Sequence, residues 1–146
     1  MKISNVMSRD VQLVDPDGTL REAALLMKKI DAGLLPVTEN DKLVGMITDR
    51  DITVRAVAEG RDPDKTVVRD AMSSGIRFCF EDEDSEAVAR KMGQWQVRRL
   101  PVLNRDKRLV GIVSIGDLAQ CDDAKKTGQA IADITTPGGA HSQTAH

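Results

Sequence analysis

The stretch that decides the fold is LLPVTENDKLVGMITDRD, which spans residues 34–51. It recurs as RLPVLNRDKRLVGIVSIGD at residues 99–117, at an offset of 65 residues that becomes 66 after one extra residue near Lys107. Both copies contain Leu-Pro-Val, Leu-Val-Gly and a final Asp, and upstream Met7-Ser8 matches Met72-Ser73. A repeat of this length indicates two copies of one supersecondary unit.

An apolar helix face recurs with the same offset. The first copy has small or apolar residues at i, i+3, i+4 and i+7 spacing, which is typical of an amphipathic helix: Leu20, Ala23, Ala24, Met27 and Ile30. The matching positions of the second copy hold Ser85, Val88, Ala89, Met92 and Trp95. Thr19 and Glu22 have the spacing of a capping box, whereas Asp84 takes the cap position of the second copy without a reciprocal Glu.

Each copy therefore predicts a short helical turn followed by a β-α-β-β-α unit. In the first copy we expect a turn at 3–7, strands at 11–14, 34–38 and 43–48, a helix at 20–30 and a final helix from near Arg50. In the second copy the turn is at 67–72, the strands at 77–80, 99–103 and 109–114, the helix at 85–95 and the final helix near Gly116. The polar turns at 39–41 and 104–106 favour hairpins.

The predicted fold class is α/β (α+β), with the two repeats packed with pseudo-twofold symmetry. One unit of about 50–60 residues buries too little surface to be robust alone. We place the first repeat at 1–58, a polar linker at 59–65 and the second repeat at 66–121. Residues 122–146 predict a C-terminal short helix at 129–134 and a flexible tail.

Composition and charge exclude several classes of protein. The 146 residues are 40% apolar, 30% charged and 2% aromatic, with a net charge of −2. Residues 1–58 carry 8 basic and 9 acidic side chains and the remainder 13 and 14, so a nucleic-acid partner is disfavoured. The longest apolar runs are too short for a membrane span, and the first residues are not a signal peptide. We expect a cytoplasmic protein without a disulfide framework, with Cys79 buried and Cys121 exposed.

The most informative motif is Gly, two apolar residues, a hydroxyl, two variable residues and Asp, at Gly45–Asp51 and again at Gly111–Asp117. Two interpretations stay open. Thr48 with Asp51, and Ser114 with Asp117, have capping-box spacing. Alternatively, each Asp holds two ribose hydroxyls, each hydroxyl side chain meets phosphate, and Gly45 and Gly111 allow a ligand to approach closely.

The region from Ile3 to Ala119 resembles a tandem pair of CBS domains, together called a Bateman module. The resemblance rests on the repeated Met-Ser, Leu-Pro-Val and Gly-x-x-Thr/Ser-x-x-Asp segments. We expect no attached effector domain, and the chain is similar to the small stand-alone CBS-pair proteins of bacteria. The resemblance implies adenosyl ligands (AMP, ADP, ATP or S-adenosylmethionine) in two clefts between the repeats. It implies ribose contacts by Asp51 and Asp117, and ribose or phosphate contacts by Thr48 and Ser114.

The two expected clefts differ in charge. Arg98 and Arg99 precede the second Leu-Pro-Val, where the first copy has Gly33 and Leu34. The resemblance to nucleotide-sensing members of the family implies that basic residues at this place meet phosphate, since Arg suits multidentate contacts. The alternative is a solvated basic edge. Arg50 either substitutes partly in the first copy or faces water.

The preferred hypothesis is a non-enzymatic regulatory module that binds an adenine nucleotide or S-adenosylmethionine and signals to an unknown effector protein. The resemblance implies a homodimer. The second hypothesis is an interaction or scaffold protein whose clefts are vestigial. An enzyme is the weakest option, since no nucleophile–base arrangement is visible, and we predict no required cofactor, no metal site and no membrane partner.

Overall fold

The structure is a computed structural model that describes residues 1–121 and 124–137. The α-helices are α1 (Leu20–Ile30), α2 (Asp49–Ile52), α3 (Ser85–Trp95), α4 (Ile115–Cys121) and α5 (Ala124–Ile134), and a π-helical segment at Thr53–Val57 continues α2. The strands are β1 (Leu34–Glu39), β2 (Lys42–Thr48), β3 (Cys79–Phe80), β4 (Arg99–Leu103) and β5 (Leu109–Ser114). The α/β repeat predicted from the sequence is confirmed.

The chain divides into two compact units. The continuous unit is Gln12–Ile76, and the discontinuous unit combines Met1–Val11 with the described residues from Arg77 onward. Each unit takes its leading segment from the other repeat. In the discontinuous unit the Ile3 amide donates to the Glu83 carbonyl at 3.0 Å, and in the continuous unit the Val68 amide donates to the Gly18 carbonyl at 2.8 Å. The compact units and the predicted repeats are therefore different divisions of the chain.

Each unit has its own hydrophobic core. Both cores collect the apolar face of the long helix, the inner positions of the hairpin and two apolar residues of the borrowed segment. The continuous unit buries Leu20, Ala23, Met27, Leu35, Val37, Ile47, Ala56, Val68 and Ala71. The discontinuous unit buries Ile3, Met7, Cys79, Val88, Ala89, Met92, Leu100, Val102, Val113, Leu118 and Ala130. Burial of Ile3 and Val68 explains why each leading segment is held in place.

The long helices have the predicted bounds, and their caps differ. At the start of α1, the Thr19 hydroxyl accepts a hydrogen bond from the Glu22 amide at 3.1 Å. In α3, Asp84 occupies the cap position without a side-chain cap bond, and its carboxylate accepts instead from the Met1 amino group at 2.9 Å. Both helices end at a residue with φ of 54°, Asp31 and Gln96, which satisfies the last carbonyls.

The two hairpins explain the extra residue near Lys107. β1 pairs antiparallel with β2 across the two-residue loop Asn40-Asp41, where both φ angles are positive (54° and 64°), as in a type I′ turn. β4 pairs antiparallel with β5. There the Asn104 amide donates to the Arg108 carbonyl at 2.9 Å, which leaves three residues in the loop, the last of them Lys107 with φ of 61°. A three-residue loop therefore replaces a two-residue loop.

Several predicted boundaries are wrong. The strand expected at 11–14 is reduced to a single bridge from Val14 to Val37, and the one expected at 77–80 is only Cys79–Phe80. The leading turns are 3₁₀ segments at Ile3–Asn5 and Val68–Asp70, shorter than expected. The last helix begins at Ala124, five residues earlier than predicted, and Thr127 in the added part is buried. The predicted tail at 138–146 lies outside the described residues.

Candidate functional site: two hydroxyl–carboxylate pairs

The Thr48/Asp51 pair lies where β2 ends and α2 begins. The Thr48 side-chain oxygen accepts from the Asp51 amide at 3.0 Å, and Asp51 Oδ2 accepts from the Thr48 amide at 3.0 Å. This is a complete capping box, because it satisfies two backbone donors that the helix itself leaves unbonded. The capping interpretation of the motif is therefore confirmed in the continuous unit.

The Ser114/Asp117 pair repeats this geometry where β5 ends and α4 begins. The Ser114 hydroxyl accepts from the Asp117 amide at 3.0 Å, and Asp117 Oδ2 accepts from the Ser114 amide at 2.9 Å. Both carboxylates are thus held by their own backbone through one oxygen, Oδ2. A carboxylate has a second acceptor oxygen, so capping leaves part of its bonding capacity for another partner.

The surroundings of the two carboxylates differ. The Asp51 side chain is 13% exposed, and Arg55 Nε lies 3.9 Å from its Oδ1. Arg55 also donates to the carbonyls of Ala71 at 3.1 Å and Met72 at 3.0 Å. The position that matches Arg55 is Cys121, and within the described part of the chain no cation pairs with half-buried Asp117. Arg55 is not among the site residues predicted from the sequence, although its i+4 spacing from Asp51 was a usable signal.

Gly45 and Gly111 make close contacts for a different reason from the one expected. A Cβ on Gly45 would lie 2.5 Å from the Met72 sulfur, and a Cβ on Gly111 would lie 2.6 Å from the Met7 sulfur and 2.7 Å from the Ser8 carbonyl oxygen. The missing side chains therefore make room for the Met-Ser segments of the sequence repeat. Both glycines are buried, so packing of the Met-Ser segments accounts for them without a ligand, and their role in binding stays a prediction.

The structure brings Arg98 and Arg99 to the Ser114/Asp117 pair. Arg99 is in register with Ser114 across the hairpin, and the Ile115 amide donates to the Arg98 carbonyl at 2.8 Å. Both side chains are exposed, and neither has an ion-pair partner among residues 1–121 and 124–137. Within the described residues, two guanidinium groups without an ion-pair partner therefore belong to residues whose backbone adjoins this pair.

The matching place in the continuous unit carries a carboxylate. The Asp49 amide donates to the Gly33 carbonyl at 2.9 Å, which is the equivalent of the Ile115–Arg98 bond. A Cβ on Gly33 would lie 2.7 Å from Asp49 Oδ2. Exposed Arg50 follows, and its amide donates to Asp49 Oδ1 at 2.8 Å. Asp49 is a second residue that sequence analysis missed, and the paired change from Arg98 to Gly33 and from Ile115 to Asp49 was its only signal.

The cysteines and the tryptophan are placed as predicted from their positions. Cys79 is buried, and Cys121 is exposed. Burial raises the pKa of the Cys79 thiol to about 12, and the charge of Glu83 adds to the shift, so this thiol is unreactive at neutral pH. Trp95 is half-buried against the core of the discontinuous unit, with the Arg77 guanidinium 5.2 Å from its ring centroid.

In residues 1–121 and 124–137, no three His, Cys, Asp or Glu side chains are grouped so that they could hold a metal ion. No helix in this part of the chain is both long and apolar enough to cross a membrane.

Comparison with known proteins identifies the family. A family model for the CBS domain matches residues 3–57 and 68–122. The chain is 39% identical over 134 residues to the CBS domain-containing protein YhcV of Bacillus subtilis, covering 91% of this chain and 94% of that protein. The chain therefore belongs to the CBS-domain family and carries a pair of CBS domains, which is a regulatory module.

Two solved structures add detail to this assignment. The crystal structure of Hypoxic Response Protein I, with two coordinated zinc ions, is 33% identical with a TM-score of 0.76, covering 84% of this chain and 100% of that one. The CBS domain pair of protein MJ0100, in complex with 5-methylthioadenosine and S-adenosyl-L-methionine, is 28% identical with a TM-score of 0.71, covering 82% and 94%.

Proposed function

We propose that this CBS-domain pair binds adenosyl ligands at two sites, one at the Thr48/Asp51 pair and one at the Ser114/Asp117 pair. The ligand class is AMP, ADP, ATP or S-adenosylmethionine, and occupancy is reported to an effector protein. The observation that carries the proposal is the doubled hydroxyl–carboxylate pair, in which each carboxylate accepts a backbone hydrogen bond through Oδ2, while Oδ1 of Asp51 lies 3.9 Å from Arg55 Nε. The complex of the MJ0100 CBS pair with two adenosyl compounds supports this ligand class.

The capping boxes prepare the carboxylates for ribose rather than compete with it. Holding Oδ2 on a backbone amide fixes the rotamer of each Asp before a ligand arrives, so little side-chain entropy is lost on binding. Oδ1 can then accept hydrogen bonds from the vicinal ribose hydroxyls. Because Asp51 and Asp117 are not fully exposed, such bonds form in a region of reduced dielectric and are stronger than in water.

Phosphate recognition is assigned to Arg98 and Arg99. A guanidinium group offers a planar fork of donors that matches phosphate oxygens, and these two groups have no carboxylate partner within the described residues. We therefore assign the phosphorylated nucleotides to the Ser114/Asp117 pair.

The test is the thermal stabilisation of the chain by AMP, ADP, ATP and S-adenosylmethionine. Ligand at 100 times Kd should add about 2.7 kcal/mol to the free energy of unfolding. Asp117→Asn keeps an oxygen that can accept from the Ser114 amide but removes the carboxylate charge and one acceptor. We expect this variant to lose most of the increment given by AMP while its stability without ligand changes little.

The matched controls are Asp51→Asn and Arg98→Gln. Asp51→Asn should leave the increment given by AMP at the Ser114/Asp117 pair intact. Arg98→Gln should weaken the binding of AMP and ATP more than the binding of S-adenosylmethionine. If none of the four compounds stabilises the wild-type chain, the proposal is wrong.

A second candidate function is an interaction or scaffold protein with vestigial sites. The complete capping boxes favour it, because they account for all four side chains without any ligand. It predicts that Asp117→Ala lowers stability by the same amount with and without nucleotide. In both cases we propose a non-catalytic, cytoplasmic protein that forms a homodimer. Size-exclusion chromatography with light scattering tests the homodimer directly.

A further inference from the structure

We infer that the two sites take different classes of adenosyl compound: the Thr48/Asp51 pair selects those with an uncharged or cationic 5′ substituent and rejects 5′-phosphates. The inference rests on the proposed function and assigns a ligand class to the site that lacks Arg98 and Arg99.

The first observation is the position of the Asp49 carboxylate. Gly33 and Arg98 are equivalent, because each accepts a backbone hydrogen bond from the first residue of the following helix, at 2.9 Å and 2.8 Å. In the discontinuous unit the Arg98 side chain leaves the backbone at this point. In the continuous unit Gly33 has no side chain, and Asp49 Oδ2 lies 2.7 Å from where a Cβ would be. The Asp49 carboxylate of the continuous unit thus lies where the Arg98 side chain of the discontinuous unit begins.

The second observation concerns the two cations near Asp49. Arg55 is already engaged with the Ala71 and Met72 carbonyls and lies 3.9 Å from Asp51. Arg50 is exposed, and it is its backbone amide, not its guanidinium group, that donates to Asp49 Oδ1. The carboxylate of Asp49 therefore lies one residue along the chain from the charge of Arg50. Within the described residues, the continuous unit therefore has one guanidinium group without an ion-pair partner at this place, that of Arg50, and it follows a carboxylate. The discontinuous unit has two such groups, and the position of Asp49 is occupied by Ile115.

The chemistry of the 5′ position follows from these charges. A 5′-phosphate that points toward Gly33 meets a carboxylate and is repelled. A thioether, as in 5-methylthioadenosine, has no charge to repel, and a sulfonium, as in S-adenosylmethionine, is attracted. The effect acts near the surface, so raising the ionic strength should reduce it.

The experiment measures binding of AMP and 5-methylthioadenosine by titration calorimetry, at low and high salt. In the Asp117→Asn background only the Thr48/Asp51 pair is left intact, and we expect it to prefer 5-methylthioadenosine over AMP by about tenfold. Adding Asp49→Asn removes the charge but keeps an acceptor for the Arg50 amide, and should remove most of that preference. Glu59→Gln in the same background makes the same change in net charge away from Gly33 and should leave the preference unchanged.

The outcomes separate the inference from the proposed function. Two AMP molecules binding to the wild-type chain with equal affinity would overturn the inference and leave the proposed function standing. So would an unchanged ratio of affinities in Asp49→Asn. If neither compound binds the wild-type chain, both are wrong. Circular dichroism of Asp49→Asn should match the parent, because Asp49 is exposed.

Discussion

The continuous and discontinuous units share a backbone plan and differ in what surrounds it. The hairpin, the long helix with its left-handed last residue and the reciprocal capping box occur in both. Two features differ. Among the described residues, α5 packs on α3 and no equivalent helix packs on α1, and the charge beside each hydroxyl–carboxylate pair is not the same. The residues that define the repeat therefore serve the backbone, and those that distinguish the ligands lie outside the shared motif.

The difference in α5 has a local cause. Ala89 and Gly93 give α3 a face of small residues, and a Cβ on Gly93 would lie 2.9 Å from Asp133 Oδ2 and 3.5 Å from the Ala130 Cα. The matching positions of α1 are Ala24 and Lys28. In α1 the long side chain of Lys28 occupies the position where α3 has Gly93, and it leaves no room for a second helix to approach. Ala24 and Lys28 are accordingly exposed to solvent.

The largest effect should come from matched core positions that are buried to different extents. Leu118 in α4 is fully buried, whereas its equivalent Ile52 in α2 is only partly buried. We expect Leu118→Ala to lower the free energy of unfolding by about 3 kcal/mol and Ile52→Ala by about 1 kcal/mol. Urea denaturation followed by circular dichroism measures both.

The single tryptophan shows which unit has been weakened. Trp95 belongs to the discontinuous unit, so in Leu118→Ala the unfolding transition followed by its fluorescence should have its midpoint at a lower urea concentration. Equal losses of stability in Leu118→Ala and Ile52→Ala would contradict the contrast between the two cores.

Detachment of α5 should have an intermediate effect. Gly93→Lys gives α3 the residue that α1 has at the equivalent position, Lys28. We expect it to lower the free energy of unfolding by about 2 kcal/mol through overpacking against Asp133 and Ala130. It should also make the bonds after Lys125 and Lys126 accessible to trypsin. Gly93→Ala should cost less, because the Asp133 side chain can move.

The matched control is Lys28→Ala in α1. Lys28 is exposed and no helix covers it, so the change should stay within about 0.5 kcal/mol. If Gly93→Lys were as neutral as Lys28→Ala, the close packing of α5 on α3 would be disproved.

Much of the fold could be predicted because the sequence states it twice. The bounds of α1, α3, β4 and β5 agree with the apolar periodicity and the hairpin turns. The exchange of leading segments could not be predicted, since nothing local in Ile3 or Val68 says which repeat will bury it. Asp49 and Arg55 were missed because they are not repeated: the positions that match them hold Ile115 and Cys121. A sequence repeat indicates the residues that the two copies share, but it gives no signal for residues that occur in one copy only.

The smallest effect, and the one that bears most directly on the site, concerns the two capping hydroxyls. Thr48→Ala and Ser114→Ala each remove the acceptor of a 3.0 Å bond from an Asp amide. If capping is their structural role, each change should cost about 1 kcal/mol, and the two costs should be equal. Thermal denaturation without ligand measures both costs.

The comparison of the two hydroxyls becomes sharper when the same thermal denaturation is repeated with AMP. Ser114→Ala should then lose part of the stabilisation that AMP gives, because its hydroxyl borders the site assigned to phosphate, while Thr48→Ala should retain it. Identical behaviour of the two variants in AMP would mean that both hydroxyls only cap their helices, which is the result expected for a scaffold with vestigial sites.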